Sequence, residues 1–140
     1  MSGKLYYYYS GSWRKVCDDY WSLNDATVAC RQLGLGSPSN YYTSAYRYFG
    51  YDYSYSYWLD NLQCTTDELF LHGCPRNDWG VEDCSWYEQA GMTCTSKFWH
   101  VKNVLLISIY FRFSSTFFCL LHLNCTPVCM LYTHLRLLHN

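Results

Sequence analysis

Four short segments carry the pattern of β-strands. Each is rich in aromatic or β-branched residues and is bounded by turn residues, the composition that favours pleated structure. The turn Ser10-Gly11-Ser12 separates the first two segments and predicts a hairpin. The predicted strands are residues 4–9, 13–17, 58–62 and 92–95.

One segment carries the period of an amphipathic helix. Its apolar residues recur at i, i+3, i+4 and i+7, which places them on one face; they are Ala26, Ala29, Cys30 and Leu33. Asn24 is a candidate N-cap, and Gly34 offers the left-handed residue that ends a helix. The pattern predicts a helix over residues 25–33, followed by a loop at 36–40, and residues 66–72 carry a weaker signal for a short helix.

Nine cysteines in 140 residues indicate a protein stabilised by disulfides rather than an ordinary cytosolic protein. A domain of about 90 residues buries too little apolar surface to be comfortably stable, and disulfides are the usual remedy. A zinc domain would require closely spaced Cys-x2-Cys pairs, and none occurs between Cys17 and Cys94. We therefore expect an oxidising, extracellular or cell-surface location.

The cysteines lie within phrases whose order and spacing resemble the scavenger receptor cysteine-rich domain. The phrases are WRKVCDD at 13–19, ACRQLG at 29–34, WLDNLQC at 58–64, GCP at 73–75, DWGVEDC at 78–84 and AGMTC at 90–94. The resemblance extends from about Gly3 to Thr95 and assigns residues 1–95 to this domain. It implies a small disulfide-rich α+β fold, in which a curved, mainly antiparallel sheet cradles one helix.

Six cysteines permit fifteen pairings, and the sequence alone does not choose among them. The resemblance implies the disulfides Cys17–Cys84, Cys30–Cys94 and Cys64–Cys74. Members with a fourth disulfide have a cysteine where this chain has Leu35, which places the chain with the six-cysteine group, group A. The family has one further strand before Gly3. Because neither that strand nor a signal peptide is visible, we expect the chain to be a fragment.

Two acidic groups match the cation sites of the family. The resemblance implies a first site at Asp18, Asp19 and Glu88, and a weaker second site at Asp60, Asn61, Asp67 and Glu68. Several carboxylates together suit calcium, which prefers oxygen ligands, and extracellular modules bind it with dissociation constants of about 0.1–1 mM. The alternative for the second group is structural, because such residues also organise turns and helix starts.

A run of tyrosines distinguishes residues 41–57. Tyr51, Tyr53, Tyr55 and Tyr57 alternate with polar residues, so an extended chain would place all four rings on one side. Such a surface suits ligand recognition, because tyrosine offers a large amphipathic area at low entropy cost. The alternative is that these rings cover the core.

Charge and composition separate residues 96–140 from the domain. Residues 1–95 carry a formal charge of about −5, which argues against nucleic-acid binding, whereas the acid-free tail carries +4. Residues 104–123 have the length of a membrane span, but Arg112 near the centre opposes insertion. Our interpretations of this apolar basic tail are, in order, read-through into an intron, a marginal membrane anchor and a functional appendage.

The sequence thus predicts an extracellular binding module rather than an enzyme. His72 is the only histidine before His100, and no nucleophile-and-base pair can be built around it. The resemblance implies polyanionic, microbial-surface or protein ligands, bound with the support of calcium. The alternative is a structural module of a larger secreted or cell-surface protein that binds no ligand of its own.

Overall fold

The structure, a computed structural model, describes residues 1–96 and 135–138. The elements in chain order are β1 Ser2–Tyr9, β2 Ser12–Val16, α1 Leu23–Gln32, β3 Pro38–Tyr42, α2 Tyr46–Phe49, β4 Tyr57–Leu59, a 3-10 turn at Leu71–Gly73, β5 Gly91–Cys94 and β6 Leu135–Leu138. The predicted loop at 36–40 is therefore partly strand β3. The helical signal at 66–72 corresponds only to the 3-10 turn.

One curled, mixed sheet contains all six strands. Strands β1 and β2 form an antiparallel hairpin whose two turn residues, Ser10 and Gly11, both have positive φ angles. Strand β5 pairs antiparallel with β1 and β3, whereas β2 and β4 pair in parallel. The predicted fold class, a small disulfide-rich domain with a curved sheet and one main helix, is confirmed.

The N-cap of helix α1 is Ser22, two residues before the predicted N-cap Asn24. Asp25 replaces Asn24 as the residue that organises this end, because its Oδ2 accepts hydrogen bonds from the backbone N–H and the hydroxyl of Ser22 at 2.9 and 2.6 Å. Its Oδ1 accepts the Cys64 N–H at 2.8 Å, so one fully buried carboxylate joins the helix start to a distant loop. Gly34 has the left-handed φ predicted for the helix end.

Three disulfides lie within residues 1–96, and they join the pairs that the resemblance implies. Cys17–Cys84 and Cys30–Cys94 span 67 and 64 residues, with Cα atoms 6.3 and 5.8 Å apart. Cys64–Cys74 closes a short loop, with Cα atoms 4.8 Å apart. Cys30–Cys94 attaches the buried face of α1 to β5, and closing a loop of this size removes roughly 4 kcal/mol of unfolded-chain entropy in the simplest account.

The proposed membrane segment at 104–123 lies outside the described residues. Within residues 1–96 and 135–138, no helix combines the length and the apolar character that crossing a bilayer requires.

Candidate functional site

The backbone brings the first predicted cation group together beside the Cys17–Cys84 disulfide. Asp18 and Asp19 follow Cys17, the first residue after β2. The Asp18 N–H donates to the backbone oxygen of Glu88 at 3.2 Å, and Cys17 forms an isolated antiparallel bridge with Gln89. The three carboxylates Asp18, Asp19 and Glu88 therefore belong to one neighbourhood, which is the grouping that the resemblance implies.

The electrostatics of this neighbourhood favour a positive partner. Burial raises the pKa of the Asp18 carboxyl to about 6; the Ser44 N–H lowers it, and the charges of Asp19 and Glu88 raise it further. Burial also raises the pKa of Asp19, with added repulsion from Glu88 and Asp83. A bound cation would relieve these repulsions, because it favours the ionised form of every carboxylate around it.

Two of these carboxylates are held in place by backbone groups. Asp18 Oδ2 accepts a short hydrogen bond from the Ser44 N–H. Glu88 Oε2 accepts the Ser85 N–H at 2.6 Å. Each carboxylate has one oxygen fixed in this way, so its orientation is set before any cation arrives.

Asp19 lies beside Asp60, which the sequence assigns to the other site. Their carboxylate oxygens lie within 4.8 Å of each other and of the Cys17 and Cys84 sulfurs. Both sulfurs belong to a disulfide and are not available as thiolate ligands. A cation at this place would therefore meet carboxylate oxygens, the donor type that calcium prefers.

Asp60 also has a structural role. Its side chain is buried and accepts hydrogen bonds from the Asn61 N–H at 2.7 Å and from the Asn77 side chain at 2.9 Å. Burial raises the pKa of Asp60; the Asn61 N–H lowers it, and Asp19 and Asp83 raise it further. The turn-organising alternative thus holds for Asp60 without excluding a cation.

Of the other members of the second predicted group, Asn61 is bonded to Asp60, whereas Glu68 lies in a different cluster. The Glu68 carboxylate accepts hydrogen bonds from the Thr65 N–H and hydroxyl, and it lies near the sulfurs of Cys64 and Cys74. Asp67 is exposed, and Asn61 occupies a left-handed turn with a φ of 55°. The structure therefore links Asp60 to the first group and gives Glu68 a local turn-stabilising role.

Three of the four predicted surface tyrosines are exposed, and the fourth is not. Tyr51, Tyr53 and Tyr55 are 58%, 67% and 66% exposed, whereas Tyr57 is 1% exposed. Tyr57 begins β4, packs against the Cys17–Cys84 disulfide and donates its hydroxyl to the Ser85 carbonyl at 2.6 Å. The prediction of four rings on one side is wrong for Tyr57, because its strand enters the sheet.

Two of the exposed rings, Tyr51 and Tyr53, belong to a cluster with Tyr46 and Trp86, which we call the aromatic patch. Tyr51 and Tyr53 are nearly parallel, with centroids 5.8 Å apart. Trp86 lies 5.3 Å from Tyr53 and 5.4 Å from Tyr46. Tyr46 belongs to the tyrosine run at 41–57, but Trp86 was not predicted; its position between Cys84 and Glu88 is the signal that could have placed it here.

Two buried lysines hold the backbone that carries this patch. Lys15 Nζ donates to the carbonyl oxygens of Asp52, Ser54 and Trp86 at 2.5, 2.7 and 3.1 Å. Lys4 Nζ donates to the Gly50 carbonyl at 3.0 Å. Burial lowers the pKa of both lysines, and the Asp52 charge opposes this by raising it. We call these contacts the lysine clamp.

A second group of aromatic side chains, formed by Tyr9, Trp58 and Trp79, carries two arginines. The sequence did not predict this group. Tyr9 stacks on Trp79 with centroids 3.9 Å apart and meets Trp58 edge to face at 5.2 Å. The Arg14 guanidinium lies 3.7 Å from the Trp58 ring centroid, and that of Arg76 lies 4.2 Å from Trp79. We call Arg14 and Arg76, together with the rings beneath them, the arginine row. It presents two cations on an otherwise acidic domain, and stacking on the rings fixes the orientation of the guanidinium groups.

Comparison with known proteins gives a consistent result. The family model of the scavenger receptor cysteine-rich (SRCR) domain matches residues 1–95. A crystal structure of the dimeric form of the SRCR domain of mouse MARCO is 37% identical and has a TM-score of 0.60, covering 68% of this chain and 87% of that one. The third SRCR domain of murine neurotrypsin is 35% identical with a TM-score of 0.54, covering 66% of this chain and 84% of that one. The chain therefore belongs to the scavenger receptor cysteine-rich domain family.

Proposed function

We propose that this chain is an extracellular ligand-binding module that uses the aromatic patch as its contact surface and calcium at the neighbouring acidic group as support. Membership of the SRCR family supports a scavenger-receptor-type extracellular module. Three disulfides among the described residues agree with the six-cysteine group A. The classes of ligand that the family suggests are polyanions, microbial surfaces and proteins.

The lysine clamp beneath the aromatic patch is the observation that carries this proposal. Burying two ammonium groups is unfavourable, and exposing tyrosine rings forgoes the free energy of burying them. Both unfavourable features, the buried lysines and the exposed rings, occur in this region. The result is a set of exposed rings on a fixed backbone. A surface ordered before binding loses less entropy when a ligand arrives, which is the property expected of a recognition site.

Calcium is the proposed cofactor because Asp18, Asp19, Asp60 and Glu88 supply several carboxylates in one neighbourhood. Calcium takes six to eight oxygen ligands, so the protein would share it with water or with an acidic group of the ligand. Glu88 and Trp86 lie two residues apart, so the proposed cation would lie close to the aromatic patch. A shared calcium would let a domain of charge about −5 hold a polyanion.

The arginine row offers a second way to attract a polyanion. Arg14 and Arg76 present planar guanidinium groups, which match sulfate, phosphate and carboxylate geometry. Both are partly exposed and already oriented by Trp58 and Trp79. We expect no catalytic turnover, since SRCR domains are binding modules and neither surface offers a nucleophile beside a base.

The test is the melting temperature of the oxidised chain in excess calcium and in chelator, with Asp19→Asn as the site variant and Asp67→Asn as the matched control. We expect calcium to raise the melting temperature of the native chain and of Asp67→Asn by several degrees, and to leave Asp19→Asn unchanged. An equal shift in all three proteins, or none, would contradict the calcium site. The structural-module alternative would then gain support if the chain also failed to bind dextran sulfate.

A further inference from the structure

Tyr51 and Tyr53 are the most exposed pair of rings in the aromatic patch. Their planes differ by 3° and their centroids lie 5.8 Å apart. The two side chains are 58% and 67% exposed, whereas Tyr46 and Trp86 are only half-buried neighbours. A reagent in solution therefore reaches two phenols that already lie side by side.

The lysine clamp fixes the backbone on both sides of each ring. Lys4 Nζ holds the Gly50 carbonyl at 3.0 Å, and Lys15 Nζ holds the Asp52 and Ser54 carbonyls at 2.5 and 2.7 Å. Side-chain rotation is the main freedom left to the two rings, and it keeps them within reach of each other. Such proximity turns a reaction between two groups into an effectively unimolecular step.

Trp86 connects the two phenols to a third oxidisable ring. Its centroid lies 6.0 Å from that of Tyr51 and 5.3 Å from that of Tyr53. Rings at this separation exchange an electron, so an oxidising equivalent that reaches the indole passes to a tyrosine. The aromatic patch thereby collects one-electron oxidation on its two exposed phenols.

Sulfur groups offer little competition in the described part of the chain. All six cysteines of residues 1–96 are in disulfides, and Met92 is fully buried. Among the described residues, Met1 is the exposed residue that carries sulfur. Because peroxide oxidises accessible thiolates and thioethers, exposed phenols are the main targets left to an oxidant within residues 1–96.

Two other tyrosine pairs are close, but each includes a partly buried ring whose hydroxyl is engaged. Tyr42 lies 4.5 Å from Tyr48, and its hydroxyl is hydrogen-bonded within the sheet. Tyr46 lies 5.5 Å from Tyr51, and its hydroxyl accepts an N–H of Arg47 at 3.1 Å. Phenol coupling joins the carbons beside the hydroxyls, so these rings would first have to break their contacts.

We propose that Tyr51 and Tyr53 are an oxidative coupling site, at which hydrogen peroxide and a haem peroxidase join the two rings by a biaryl bond within one chain. Each phenol gives one electron and its proton to the oxidant, and the two radicals join at the carbons beside their hydroxyls. The hydrogen on each joined carbon then moves through water to the oxygen of the same ring, which restores both phenols. In sum, two tyrosines and one hydrogen peroxide give one dityrosine and two waters.

The test is treatment of the full chain, with its disulfides intact, with hydrogen peroxide and a haem peroxidase. Cleavage before Asp52 by an Asp-specific protease separates Tyr51 from Tyr53 unless a bond joins them. We expect mass spectrometry to find the two fragments still joined, and lighter together by the two hydrogen atoms that coupling removes. Dityrosine fluorescence measures the yield.

Two conservative variants show whether the stacked pair is the site. Tyr53→Phe keeps the exposed ring and removes its hydroxyl, and we expect the fluorescence yield to fall at least about fivefold. Tyr55→Phe is the matched control, because Tyr55 is 66% exposed and has no ring contact among the described residues; its yield should equal that of the native chain. Equal yields from Tyr53→Phe and the native chain, or coupling found chiefly at Tyr42 and Tyr48 or between copies of the chain, would overturn the proposal.

Discussion

The ammonium group of Lys15 lies 2.5 Å from the backbone oxygen of Asp52 and 4.0 Å from its carboxylate. One residue of β2 thereby holds both the main chain and the side chain of a loop 37 positions away. The loop residue is itself held by Tyr6, whose hydroxyl donates to Asp52 Oδ2 at 2.5 Å. The tyrosines on either side of Asp52 are presented outward from this anchored point.

Replacing Lys15 with methionine should destabilise the domain. The change leaves the Asp52, Ser54 and Trp86 carbonyls without their shared donor, and an unsatisfied buried group costs about 1–3 kcal/mol of unfolding free energy. Urea denaturation measures the loss. Arg47→Met is the control, because Arg47 is exposed in the same region and its removal should change stability by no more than about 0.5 kcal/mol. Equal effects of the two changes would show that the clamp is not needed.

The contribution of Asp52 should depend on pH. Burial alone would raise the pKa of this carboxyl, but the hydrogen bonds from Tyr6 and Ser54 and the charges of Lys15 and Lys4 lower it below its usual value. A lowered folded-state pKa stabilises the fold above the unfolded value of about 3.9, and this stabilisation is lost as the pH falls through the folded-state value. The stability difference between the native chain and Asp52→Asn should therefore shrink on acidification from about pH 6 to below about pH 3. A constant difference across that range would contradict the ion pairing.

Calcium stabilisation should weaken at low pH. The pKa of Asp18, raised to about 6, lies above its unfolded value, so without calcium its contribution to stability falls as the pH rises from about 4 to 6. Protons compete with calcium for the same carboxylate, and the calcium-dependent rise in melting temperature should be smaller at about pH 5 than at about pH 7.5. Asp18→Asn should remove most of the pH dependence, and an unchanged profile in that variant would assign the effect to another group.

Exposed and buried tyrosines should respond differently to substitution. Tyr51→Ser combined with Tyr53→Ser should lower binding to immobilised dextran sulfate in calcium by at least tenfold, about 1.4 kcal/mol, with the melting temperature unchanged. Tyr20→Ser is the matched control, because Tyr20 is 70% exposed and lies outside the aromatic patch. Undiminished binding by the double variant would exclude the patch as the contact surface.

Tyr57→Ala, by contrast, should cost about 3–5 kcal/mol of unfolding free energy, because it opens a cavity beside the Cys17–Cys84 disulfide. Tyr55→Ala, two residues earlier and 66% exposed, should have little effect on stability. Chemical denaturation of the two variants separates the roles. A loss in Tyr57→Ala no larger than that in Tyr55→Ala would contradict its place in the core.

The arginine row should contribute salt-sensitive binding. Arg14→Gln combined with Arg76→Gln should weaken dextran sulfate binding and reduce its dependence on salt, because each arginine attracts the polyanion through a screened charge. Arg31→Gln is the control, because Arg31 lies outside both the row and the aromatic patch and donates to the Thr66 and Glu68 carbonyls. Identical salt dependence in the double variant and the native chain would exclude the row.

Local patterns predicted the fold better than they predicted the site. Periodicity located the helix and four strands within a few residues, since each signal lies within a short window of sequence. The helix start is marked by a capping box, in which Ser22 and Asp25 lie three residues apart. Asn24 is the N-cap predicted from the sequence instead, because asparagine is also a common N-cap residue. Cys17 and Cys84, once paired, bring Asp18 near Glu88.

The remaining features depend on contacts that no local pattern contains. Alternation places Tyr51 and Tyr53 on one side correctly, but Tyr57 turns inward because β4 pairs with β2 from a distant part of the chain. Lys15 is a polar residue in a strand, and nothing nearby in the sequence shows that it is buried under a loop at 50–54. The neighbourhood of Asp19 and Asp60 likewise arises from the meeting of two strand ends.

The two long disulfides govern how this domain can be made. Synthesis proceeds from the N-terminus, so Cys17, Cys30 and Cys64 emerge from the ribosome before their partners Cys74, Cys84 and Cys94. The first native pair that can close is Cys64–Cys74. Any earlier bond among the first three cysteines is non-native and must be undone by thiol–disulfide exchange before β5 can lock helix α1 in place. The two long cross-links of the domain therefore close last, and the yield of the folded domain depends on the isomerases that it meets once Cys94 has emerged.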